Sequence, residues 1–339
     1  MMSLSSTASS NGTRTLGQMY TRIEGGLTGA GARRIVVRAR GADGWEDMPG
    51  WRFFRSVIRV ALYMRERAGL LPGWRVAVVA PLRSERLLVE WATVAQGGVI
   101  AVVDPESSDE ALTAALSRLS PRMVFVAGKG NCQRVKPSRG SKVEHVVSLD
   151  GESDNGVMPW KGLVDLAGTL DSAERAQAFR ASARDVRTEM PAVAHLEGRS
   201  ATWTFATHGN VVSRMVEFWD RFPPRRGETA YVVDAGGPAR LRLPLWAFVA
   251  DGESTLVVGT RGREQEELAE VRPATIAMPL DALPLATKYA TLADAARAGG
   301  RAGAGASALA WLTGRLRTPH DVRPARRVFT LEGDARSLT

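Results

Sequence analysis

Short apolar runs rich in β-branched residues alternate along this chain with segments of helical period, and that alternation limits its fold more tightly than any other feature. Arg75–Ala80 (RVAVVA) and Val99–Val103 (VIAVV) are nearly continuous apolar runs, the pattern of parallel strands buried on both faces. Between such runs lie helical stretches. From Trp51 to Ala68, apolar residues recur at Trp51, Phe54, Val57, Ile58, Ala61 and Leu62, and Gly69 closes the helix as a C-cap. Ser84–Gln96 is a second helix, ended by Gly97-Gly98. Ser107 with Glu110 fits a capping box that opens a third, running to Leu119. Arg34–Arg40, Arg122–Val126 and Val143–Leu149 complete a first set of strands, with a turn at Gly41–Gly44.

A polar stretch, Asp150–Gly156, breaks this rhythm, and helical signals return at Asp171–Ala183. A second series starts near Pro191. Its strands are Ala192–Leu196, Ala201–Ala206, Thr229–Asp234, Ser254–Val258, Ala274–Met278 and Arg327–Leu331. Its helices are Asn210–Phe222, Glu264–Val271, Leu280 to about Ala298, and one after the low-complexity run Gly299–Ala306. The expected fold is α/β, with two doubly wound subdomains built on mostly parallel sheets. The expected division is a flexible N-terminal tail over 1–30, a first subdomain over 31–190 and a second over 191–339. A length of 339 residues suits two domains of ordinary size.

Several classes are excluded. The single cysteine, Cys132, rules out a disulfide framework or a zinc site built on several thiolates, and is expected near solvent in a polar loop. Residues 1–12 are small and polar, unlike a secretory signal. No apolar run approaches the roughly 20 residues that span a bilayer, so a cytoplasmic protein without a membrane span is expected. The net charge is +9, but only five of the 45 basic residues are lysine. That arginine skew, spread along the chain, reads as codon usage in a GC-rich genome rather than a patch for a specific nucleic acid. His145, His195 and His320 stand isolated, without metal-ligand spacing. Gly128-Lys129 lacks the upstream glycine of a Walker loop, and no G-x-S-x-G elbow is present.

Five places in the chain carry a family resemblance. Leu71–Val79 (LPGWRVAVV) is similar to the "pGDrVai" strand entry of acyl-CoA synthetases. Gln96–Pro105 (QGGVIAVVDP) resembles their "GavavpldP" segment. Thr207-His208-Gly209-Asn210 resembles the "THxN" that follows their phosphate loop. Val271–Pro279 (VRPATIAMP) resembles their "pT....vP" strand and helix start, and Phe329–Leu338 (FTLEGDARSL) looks like their "sGGApL" strand. The chain thus resembles the AMP-forming, adenylate-forming superfamily, in its long-chain fatty-acyl-CoA synthetase branch, as a truncated and degenerate N-terminal portion. The resemblance implies activation of a carboxylic acid with ATP and transfer of the acyl group to coenzyme A.

Departures from the family pattern bear on that chemistry. The family places a Ser/Thr/Gly-rich loop with a lysine before its "THxN", because backbone N–H groups must wrap the phosphates and a cation must offset their charge. The corresponding stretch here, His195–Thr204 (HLEGRSATWT), is shorter, with one glycine and no lysine, and Glu197 brings a carboxylate towards the phosphates. Gly198, Arg199, Ser200, Thr202, Thr207 and His208 therefore mark a vestigial phosphate-loop region, and no catalytic or metal-binding residue is assigned. His208 reads as a capping or packing residue. Ala201–Ala206 reads as a plain strand of the sheet. The family's adenine motif, ribose-binding aspartate, hinge and catalytic lysine have no counterpart before Thr339.

The expected function is a synthetase-like protein that does not adenylate by itself and acts as an acyl-binding or interaction module, with no cofactor. Its expected partners are a fatty acyl ligand, a second copy of itself or a complete synthetase. A sheet edge left open after the last strand favours association, unless Gly299–Thr318 shields it. One alternative is a split AMP-forming ligase completed by another polypeptide, which would bring in ATP, magnesium and coenzyme A. Another is a basic nucleic-acid-associated protein.

Overall fold

The computed structural model describes residues 12–27, 31–41, 43–135, 142–151, 156–197, 202–223, 226–233, 242–278 and 327–330. Thirteen strands among them form two sheets. The seven-stranded sheet runs β7 (Val157–Pro159), β6 (His145–Ser148), β5 (Met123–Val126), β3 (Arg75–Val79), β4 (Val99–Val103), β8 (Pro191–Glu197), β9 (Thr202–Thr207). All its pairs are parallel except β8–β9. The six-stranded sheet runs β13 (Arg327–Thr330), β12 (Thr275–Met278), β10 (Thr229–Val233), β11 (Thr255–Gly259), β1 (Ile35–Gly41), β2 (Gly44–Pro49). Only β1–β2 is antiparallel there. The architecture is the mixed α/β arrangement with mostly parallel sheets expected from the strand–helix alternation.

The helices are α1 (Leu16–Gly26), α2 (Gly50–Glu66), α3 (Ser84–Ala95), α4 (Asp109–Leu119), α5 (Lys129–Arg134), α6 (Trp160–Leu170), α7 (Ala173–Arg184), α8 (His208–Arg221), α9 (Arg242–Ala250) and α10 (Glu264–Val271). The main core joins residues of α1–α3 and α6–α9 with the facing sides of both sheets. A second core packs α4 and α5 on the other face of the seven-stranded sheet. A third joins α10 to the outer face of the six-stranded sheet. Parallel strands covered on both faces need apolar residues at every position, which is why VIAVV and RVAVV show no alternation.

A buried polar knot joins the layers. Arg86 of α3 donates to Glu90 one turn on, at 2.7 Å, and to the carbonyl of Ala80, at 3.2 Å. Trp246 of α9 donates its indole N–H to the second Glu90 oxygen at 2.8 Å. All three side chains are buried, so the ion pair lies where desolvation is costly and each partner depends on the other.

Several local expectations change. The N-terminal region expected to be a tail holds α1, whose Leu16, Met19, Tyr20 and Ile23 are buried at helical spacing. Gly17 lets α1 approach closely: a Cβ there would lie 2.2 Å from the Ala183 carbonyl oxygen and 2.9 Å from that of Ala95. The cap of α4 is Ser108, which accepts from the Ala111 N–H, one residue beyond the Ser107 expected. Cys132 is buried in the second core, on α5, rather than near solvent. The turn at Gly41–Gly44 leads into β2, and α6 precedes the helix expected at Asp171. The sheets do not divide at residue 190, because β1 pairs with β11 and β8 pairs with β4. The helix expected over 280–298 and the run Gly299–Thr318 lie outside the described residues.

Candidate functional site

The stretch expected to hold a phosphate loop folds as a hairpin. Cross-strand register runs from Pro191 opposite Thr207 to Glu197 opposite Thr202. Only residues 198–201 connect the paired ends. The period-2 pattern of AVAHL and TWTFA suits strands, and pairing places His195 opposite Thr204. His195 Nε2 and Thr204 Oγ1 lie 2.6 Å apart. Trp203 anchors the hairpin to the second core by donating its indole N–H to the Ala115 carbonyl at 3.0 Å.

The hairpin delivers the chain into α8. Thr207 is its N-cap, with extended backbone, and its hydroxyl accepts from the Asn210 N–H at 3.2 Å. His208 follows, fully buried. Its backbone N–H donates to Met190 at 3.0 Å, and its Nδ1 accepts from the Leu16 N–H at 3.4 Å. Burial holds this imidazole well below its usual value, at about 4, so it is neutral at pH 7 with its proton on Nε2. That arrangement ties α1 to the start of α8.

Thr202 is exposed at the start of β9, and Thr207 and His208 stand at its far end. Five residue steps of strand separate Thr202 from Thr207, about 17 Å, so these residues do not form one cluster. Gly198, Arg199 and Ser200 lie outside the described residues. Among the described residues, no group of three His, Cys, Asp or Glu side chains could hold a metal ion.

Two buried carboxylates besides Glu90 escaped sequence reasoning. Asp251, after α9, accepts from the N–H groups of Glu253 (2.7 Å) and Ser254 (2.8 Å). Burial nevertheless pushes its carboxyl up to about 7. Glu267 of α10 is buried and accepts from Tyr231 and from the Thr260 N–H, both at 2.8 Å. Burial, then the Glu267 charge, raise the Tyr231 hydroxyl above its usual range. Both carboxylates sit in otherwise ordinary helical or turn sequence, which carries no signal for them.

The family model of AMP-binding enzymes matches this chain over residues 33–192. Over that stretch, a little under half of its length, the chain is similar to AMP-binding enzymes. The stretch covers β1 through the first two residues of β8 and ends before the hairpin connection. The chain has an acyl-CoA-synthetase-like fold, as the motif order suggested. A fatty acyl CoA synthetase of Mycobacterium tuberculosis matches with 14% identity and a TM-score of 0.59, covering 78% of this chain and 49% of that one. A luciferase-like enzyme from the mealworm Zophobas morio matches at 16% identity and 0.64, covering 81% and 62%. Acetoacetyl-CoA synthetase from Streptomyces lividans matches at 14% and 0.63, covering 84% and 44%. The chain therefore spans less than two thirds of the length of each. No curated protein matches it by sequence. Among the described residues, no helix is long and apolar enough to cross a membrane.

Proposed function

We propose that this AMP-binding-type chain does not form acyl adenylates by itself and works in the cytoplasm as a binding module, for a fatty acyl ligand or for a second synthetase-like subunit. The observation that supports this reading is the β8–β9 hairpin. Gripping a nucleoside triphosphate takes several backbone N–H groups curved around the phosphates, plus a cation. Here strand pairing continues to Glu197 and Thr202. The four residues left to connect them, Gly-Arg-Ser-Ala, contain one glycine and no lysine. The reading therefore assigns the chain no nucleotide, magnesium or coenzyme A.

A thermal-shift screen tests this. A ligand that binds only the folded chain raises its melting temperature by mass action. ATP and AMP with magnesium are expected to leave the melting temperature unchanged, while fatty acid or acyl-CoA raises it if the ligand is acyl. A dose-dependent rise with ATP would overturn the reading.

A further inference from the structure

We propose that the first half of α2 docks the protein on an anionic lipid surface. The first turn of α2 projects Trp51 into solvent with 51% of its surface exposed. Tryptophan so placed at a helix start gains nothing from the core, but its amphipathic ring suits the headgroup layer of a bilayer. Arginines lie on the same helix and on the turn that adjoins its start. Arg52 and Arg55 are exposed and Arg59 is half-buried on the same helix. Arg33 is exposed beside Ala32, whose carbonyl accepts the Trp51 N–H at 3.0 Å.

Charge at this surface is unbalanced. Asp171 binds both Arg55 (2.8 Å) and Arg59 (2.7 Å). The acid just upstream, Asp47, is taken up by Arg38 at 2.5 Å. Arg33 and Arg52 make no ion pair among the described residues. Among the described residues, Asp171 is the one carboxylate that ion-pairs with these four guanidiniums, and it takes up two of them. Guanidinium binds phosphate through paired N–H donors, and clustered arginines are drawn to anionic leaflets. An exposed indole beside exposed guanidiniums favours a headgroup layer over a protein partner. This inference is independent of whether the chain forms adenylates.

Co-sedimentation of the full chain with vesicles tests it, using phosphatidylcholine alone and phosphatidylcholine mixed with phosphatidylserine, at low and high salt. Binding is expected only to the phosphatidylserine vesicles, and to fall steeply at high salt. Arg52→Glu and Arg33→Glu together should weaken it about tenfold or more. Trp51→Ala should weaken it while keeping the salt dependence. Melting temperatures of the variants, all at exposed positions, check that they fold; if Trp51→Ala melts early, the arginine variants decide. Equal binding to neutral vesicles, no binding to either, or undiminished binding by the double arginine variant would each overturn the proposal.

Discussion

Replacing His208 with asparagine should change how stability depends on pH, by an amount that follows from its burial. The imidazole sits at about 4 in the folded chain against an ordinary 6.5. The unfolded state therefore binds more protons between those values, and folded stability falls as pH drops through that window. The full effect is about 3 kcal/mol, of which about 2 kcal/mol appears between about pH 7.5 and pH 5. The structural cause is specific: a proton on Nδ1 would face the Leu16 N–H that now donates to it. Asparagine places its amide oxygen near Nδ1 and does not titrate. Asp251 works in the opposite sense. Its carboxyl is pushed up to about 7, so the folded state holds more protons than the unfolded one. Its contribution therefore recovers as pH falls from about 7 towards 4. The two effects largely cancel in the native chain, and comparison of variants separates them. Urea unfolding at about pH 7.5, 6 and 5 should show His208→Asn gaining about 2 kcal/mol on the native chain towards acid. Asp251→Asn should lose a similar amount over the same range. Parallel curves for His208→Asn and the native chain would refute the buried, neutral imidazole and its bond to α1.

Other expectations follow from close packing. Gly17→Ala should cost about 2 kcal/mol or more in urea unfolding, because its Cβ would overlap the Ala183 and Ala95 carbonyls. Gly25→Ala in the same helix meets nothing within 4 Å and should be neutral or stabilising. Gly259→Ala should also destabilise, since its Cβ would lie 2.5 Å from the Tyr231 ring; a shifted urea midpoint reads it. Glu90→Ala should cost about 3 kcal/mol or more, by removing a carboxylate that Arg86 and Trp246 share, measured in the same way.

The sheets were legible because parallel strands buried on both faces leave continuous apolar runs, as at Val99–Val103. The pairing of β1 with β11 was not, because strands that meet across more than 200 residues leave no local trace. Helix α1 was missed although Leu16, Met19, Tyr20 and Ile23 are buried at helical spacing. The polar run before it drew the reading towards a tail. The helix that opens at His208 was legible from its period. The bond of His208 to Leu16 was not, because it joins residues far apart in the chain. The buried carboxylates of Asp251 and Glu267 owe their character to what folds over them, which composition does not record.

The measurement that bears most directly on the functional claim is ATP–pyrophosphate exchange by the purified full chain, with fatty acids of graded length. On the proposed reading the chain does not grip a triphosphate, so no exchange above the protein-free background is expected at any chain length. Exchange that depends on both ATP and a fatty acid, and that follows the protein through purification, would contradict it.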